Sequence, residues 1–111
     1  MISARPSIFI YTRQADEDFL REICAGIEEE GLFYEIFPRE EGDVSLLAYE
    51  AARDSMLGSG IGLAGVDLAL QLRGMKKGSN VEQYHMPTYQ QCRWLGANSA
   101  RAVKKQGFRE A

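Results

Sequence analysis

Histidine is almost missing from this chain, cysteine is scarce, and no apolar run is long. His85 is the only histidine. No Cys-x-x-Cys, His-x-x-x-His or His-Glu-x-x-His spacing is present, which argues against a zinc site. A Ser–His–acid triad would have to rest on that single ring, and no nucleophile-elbow pattern presents a serine or cysteine to it. Two cysteines, Cys24 and Cys92, do not make a disulfide framework. Both fall on apolar faces, where a free thiol behaves as a small hydrophobe. No stretch approaches the ~20 apolar residues needed to span a bilayer. The Ile8–Tyr11 run is too short for a signal peptide and lacks a cleavage site, so the cytoplasm is the expected location. Positive charge is not in excess either: the net charge of −3 argues against a general nucleic-acid binder.

What is present fits one domain over residues 1–111 with a modest core. Hydrophobic residues at 45% and charged residues at 26% are ordinary for a globular chain. The charge is unevenly spread. Residues 1–50 carry twelve acidic and four basic side chains, a balance of −8; residues 51–111 carry four acidic and nine basic, a balance of +5. Such asymmetry suggests oriented docking with a partner, or two faces that are simply solvated.

Ser7–Tyr11 is short, bulky and β-rich, and reads as a buried first strand. Asp16–Glu30 reads as a helix, with Leu20, Ile23, Cys24 and Ile27 on one face, acids at its start and Gly31 just past its end. Leu32–Phe37 reads as a second strand closed by Pro38. Asp43 can cap a second helix running to about Met56. Gly60–Ala64 is a third strand, and Gly65 turns it into Val66–Leu72, which alternates and returns antiparallel. Residues Arg73–Asn80 form a basic, glycine-containing loop. Val81–Met86 is a last strand, and Pro87 and Thr88 open a helix to about Lys105. Alternating strands and helices imply an α/β fold, its mainly parallel sheet covered on both faces.

Gly60-Ile61-Gly62-Leu63-Ala64-Gly65 matches the dinucleotide fingerprint G-x-G-x-x-G, but in the wrong context. That motif should follow a strand and open a helix. Here the glycines lie inside a strand, where close backbone packing and a hairpin turn account for them. Asn98 and Gly96, poor mid-helix residues, mark close packing of the last helix on the sheet or a contact surface. Arg93 and Trp94 beside them resemble interface anchors, or a core-edge aromatic and its neighbour.

Glu28, Glu29 and Glu30 stand at the end of the first helix, where the backbone dipole is negative and each carboxylate costs a few tenths of a kcal/mol. Their placement suggests that a positive group sits there in the working assembly, either a metal ion or an arginine of another chain. At about 100° per residue, Glu29 lies opposite the core stripe and points outward. Ala25 and Gly26, one turn back, would let another backbone approach. A lone carboxylate cannot satisfy Mg²⁺ or Ca²⁺, which take roughly six or more oxygens, so a second protein would have to complete any such site. A solvated acidic face with an incidental glycine is the other reading.

The segments Gly26-Ile27-Glu28-Glu29-Glu30-Gly31, Gly60-Ile61-Gly62-Leu63 and Leu95-Gly96-Ala97-Asn98-Ser99-Ala100-Arg101-Ala102-Val103-Lys104 follow one another over nearly the whole chain. Together they resemble the small subunit of diol and glycerol dehydratase reactivases. The resemblance implies a three-layer α/β/α domain related to anticodon-binding folds, with a mixed sheet of about five strands, one of them antiparallel. It also implies a non-catalytic role beside a large, chaperone-like ATPase subunit. The small subunit would be displaced there by the medium subunit of the dehydratase, so that damaged cobalamin can leave. By the same resemblance Glu29 would ligate a divalent cation, Mg²⁺ or Ca²⁺, shared with the large subunit. Ala25, Gly26, Glu28 and Glu30 would border that contact.

No tightly bound cobalamin is expected, and the histidine motif D-x-H-x-x-G is absent. Two further points stay open, whether the isolated chain oligomerises through the surface meant for its partner and whether it resides in a bacterial microcompartment; no nucleic-acid or membrane partner is expected. The sequence departs from the family where Leu72 is followed by Arg73 and Gly74 rather than proline, where the loop carries Lys76 and Lys77, and at Ser99, usually alanine. Two rival readings are a medium-subunit component of the dehydratase itself and an RNA-binding module using Arg101, Lys104, Lys105 and Arg109.

Overall fold

The computed structural model describes residues 5–105. Its elements are β1 (Ile8–Arg13), α1 (Glu17–Glu29), β2 (Tyr34–Pro38), α2 (Val44–Asp54), β3 (Ser59–Ala64), β4 (Asp67–Leu72), β5 (Glu82–His85) and α3 (Tyr89–Val103). The strands form one sheet in the order β2-β1-β3-β4-β5. β1 pairs in parallel with β2 and β3, and β4 runs antiparallel to β3 and β5. β4 is therefore the single reversed strand of the mixed five-stranded sheet, as expected.

Alternation along the strands builds two cores. Ile8, Ile10, Ile61, Leu63, Leu68 and Leu70 point to the face covered by α1 and α3. Tyr11, Ala64 and Ala69 point to the face covered by α2. The layers are thus α, β, α, with two helices on one side and one on the other. The glycines of β3 explain how α2 sits so close. A Cβ on Gly60 would lie 2.1 Å from the Ala52 nitrogen, and one on Gly62 would lie 2.5 Å from the Val44 oxygen. Gly65, at φ +58°, makes the turn into β4. The G-x-G-x-x-G run is a packing and turn device, with no helix N-terminus behind it.

The helix starts are set by side-chain caps. Asp16 accepts from Phe19 N at 2.9 Å, Asp43 from Leu46 N at 2.8 Å, and Thr88 from Gln91 N at 3.0 Å. Gln91 returns the bond to Thr88 N, which completes a capping box. Some bounds differ from those read in the sequence. β1 continues past Tyr11 because Thr12 and Arg13 still pair with Pro38 and Ala64. β2 begins at Tyr34, not Leu32, because Leu32 N closes the end of α1 on Ile27 O. α2 stops at Asp54, and its capping Ser55 turns to donate its hydroxyl to Ser7 O at 2.6 Å.

Candidate functional site

The end of α1 and the outer side of α3 define the region that the three consecutive acids pointed to. α1 and α3 meet main chain to main chain. A Cβ on Gly26 would lie 2.1 Å from Arg93 O, and one on Gly96 would lie 2.1 Å from Ile23 O. The close approach that Gly26 permits is therefore made inside the chain, to α3, and Gly26 is buried. That corrects its reading as a seat for another protein's backbone.

The three acids divide. Glu30 turns toward α3, where its carboxylate lies 3.2 Å from Arg101 Nη1 and 3.0 Å from Lys104 Nζ. Lys104 Nζ also donates to the Glu30 carbonyl at 2.7 Å, satisfying one of the open carbonyls of the α1 terminus. Burial alone would raise the Glu30 carboxyl pKa. The hydrogen bonds and charges of Lys104 and Arg101 outweigh it and hold the group below its ordinary range. Much of the positive charge called for by acids at a helix C-terminus is thus supplied by α3 of the same chain, and Glu30 belongs to the fold rather than to an open surface.

Glu29 and Glu28 remain exposed, on opposite shoulders of α1. Glu29 opens on a groove of about 550 Å³ that also involves Gln90, Arg93, Trp94 and Ala97. Arg93 reaches across it, with Nη1 3.7 Å from Glu29 Oε2 and Nε 3.2 Å from Glu22 Oε1, the latter without the alignment of a hydrogen bond. Glu28 and Ala25 lie on the other shoulder, toward β2. The five residues that sequence singled out are therefore not one patch: Glu29 faces the α1–α3 groove, Ala25 and Glu28 face the sheet edge, and Gly26 and Glu30 are engaged internally.

Among the described residues, no three His, Cys, Asp or Glu side chains stand together as a metal cage. Glu29 can contribute one carboxylate to a divalent ion, and a partner would have to bring most of the oxygens. The residues present fit a shared site and do not fit one held by this chain alone.

The other candidates are placed as follows. His85 Nδ1 lies 2.6 Å from Asp67 Oδ1 on the exposed rim of the sheet, and no serine or cysteine joins this pair among the described residues. Burial pushes the Cys92 thiol up to about 12 and also raises Cys24, so neither is poised as a nucleophile. Asn98 is 1% exposed and donates to Glu82 Oε2 at 2.8 Å, joining α3 to β5, and Ser99 is buried. These are packing residues. Of the basic residues at the end of α3, Arg101 and Lys104 serve Glu30, Lys105 is exposed, and Arg109 lies outside the described residues. Sequence reasoning missed the Arg101–Glu30–Lys104 cluster, which joins positions more than seventy residues apart. No described helix is long and apolar enough to cross a membrane.

Comparison with known proteins bears on this geometry. The dehydratase medium subunit family matches residues 5–109. A chain in the structure of a diol dehydratase-reactivating factor complexed with ADP and Mg²⁺ is 31% identical; the match covers 97% of this chain and 100% of that one, with a TM-score of 0.89. A chain of a glycerol dehydratase reactivase is 28% identical over 95% of this chain and 97% of that one, with a TM-score of 0.90. No curated protein sequence matches.

Proposed function

The chain belongs to the dehydratase medium subunit family, and from that premise we propose that it is the small subunit of a diol or glycerol dehydratase-reactivating factor, with residues 1–111 forming its one domain. The observation that carries this reading is full-length correspondence: the whole of a reactivating-factor chain superposes on this one at 31% identity.

The large ATPase subunit is the partner, and the dehydratase is engaged indirectly, by exchange of the small subunit for the structurally related medium subunit. Glu29 is the acid available to that contact. It is exposed, it opens on the groove beside Trp94, and its link to Arg93 is a loose 3.7 Å. A divalent cation bound there with the large subunit would supply a reversible electrostatic bridge. Glu29 provides a carboxylate, and the helix dipole adds negative potential behind it.

Titration of the large subunit with this chain, with Mg²⁺ present and then chelated, tests the assignment. Native protein is expected to bind more tightly with the cation. Glu29→Ala should lose that difference while keeping its fold, and Glu28→Ala should retain it. An unchanged cation dependence in Glu29→Ala overturns the bridge. Absence of any complex overturns the subunit assignment. If the chain were instead a dehydratase medium subunit, adenosylcobalamin would produce a spectral change on titration; none is expected.

A further inference from the structure

The side of α1 facing away from α3 carries a second surface that the cation bridge does not use. β2 is an edge strand, paired only with β1. Ile8 N bonds to Phe33 O and Arg39 N to Thr12 O, so the odd positions of this stretch turn their main-chain groups inward. By alternation Tyr34 and Ile36 direct theirs outward. Beside them runs an open groove of about 490 Å³, floored by Leu20, Ala25, Tyr34 and Ile36 and rimmed by Glu17, Glu28 and Arg21. Ile36 is 39% exposed and Phe33 is 49% exposed. A further hollow of about 410 Å³ continues the groove past Glu28 and Tyr34 to Phe33.

Three observations define what fits. The free main-chain groups of Tyr34 and Ile36 match an extended segment added to the sheet. The rim is net acidic: Arg21 on it is already paired with Asp18 at 3.0 Å, and neither Glu17 nor Glu28 is in an ion pair among the described residues. A guanidinium already sits well on this edge, since Arg5 lies 4.1 Å over the Phe33 ring. A second copy of this chain would fit poorly. Two-fold pairing of β2 with β2 would bring together two rims of net negative charge, each with its one arginine already paired to Asp18.

We propose that the β2 edge docks an extended segment of the partner subunit, with an apolar side chain over Ile36 and basic side chains toward Glu17 and Glu28. This rests on the subunit assignment above and adds a contact that needs no metal. It is tested with the full-length chain and the large subunit. Ile36→Asp and Glu17→Lys are each expected to weaken binding about tenfold or more, equally with Mg²⁺ present or chelated, whereas Glu29→Ala acts only with Mg²⁺. Circular dichroism checks that the variants are folded. In the native complex, the amides of Tyr34 and Ile36 are expected to gain protection from hydrogen exchange. Native-like binding by both edge variants, or unprotected amides, overturns the proposal and leaves the subunit assignment standing. Self-association of the isolated chain that Ile36→Asp abolishes would assign the edge to a second copy and overturn it as well. If the native chain forms no complex, both readings fall.

Discussion

Gly26 of α1 and Gly96 of α3 each lie against the main chain of the other helix, with no side chain between the backbones at either position. A methyl group at either place meets peptide atoms, which cannot rotate away. Gly26→Ala and Gly96→Ala are each expected to destabilise the chain by at least about 2 kcal/mol, despite alanine's better helix propensity. Urea denaturation followed by circular dichroism reads this directly. A stabilised Gly26→Ala would mean that the helices are further apart than described.

Glu30 links pH to stability. Its folded-state pKa is depressed, so its contribution is fully present above the unfolded carboxyl value of ~4.3 and is lost as pH falls through the folded value. The carboxylate is shielded, though the cluster sits at the margin of the molecule, so Glu30→Gln should cost about 1–2 kcal/mol at neutral pH. Denaturation midpoints measured down through the acid range should fall less steeply for Glu30→Gln than for native protein.

Tyr11, Tyr34 and Tyr84 have phenols pushed up to about 12. Burial is the main cause in each, reinforced for Tyr11 by a 2.5 Å hydrogen bond to Asp54, for Tyr34 by Cys24 and Glu28, and for Tyr84 by Glu82. A raised folded value means that this stabilisation is complete below ~10, the unfolded value, and disappears as pH climbs through about 12. Tyrosinate absorbance should therefore rise late in the native protein, together with alkaline unfolding, and earlier once the chain is denatured in urea.

Asn98→Ala removes the donor that Glu82 holds at 2.8 Å, within a nearly inaccessible site. A loss of about 1–3 kcal/mol is expected. If Asn98 were instead a partner contact, stability would be unchanged and only association would suffer.

Arg93→Gln removes the cation nearest Glu29 without disturbing the glycine contact, which uses the Arg93 main chain. If a divalent ion bridges the subunits through Glu29, this variant should associate at a lower Mg²⁺ concentration than the native chain, measured by the same titration.

The fold was largely legible in the sequence. The bulky β-rich run of β1, the alternation of β4, the caps Asp16, Asp43 and Thr88, and the turn at Gly65 are local signals, and each leads to the observed element. The order of elements and the reversed β4 follow from them. Strand bounds were less legible, since Leu32 looks like a strand residue until its amide is seen closing α1. The site was legible only in part. The helical wheel placed Glu29 outward correctly. It could not show that Gly26 faces α3 or that Glu30 is claimed by Arg101 and Lys104, because those contacts join the first and last helices. Nothing local in a run of three glutamates says which one the tertiary fold will take.

Pro38 ends β2 at a position whose neighbours Tyr34 and Ile36 face outward, and proline has no N–H to offer. Any visiting strand therefore finds a ladder of very few rungs, cut off at one end. So short a grip resists runaway edge-to-edge polymerisation and favours prompt release, which would suit the subunit exchange proposed above.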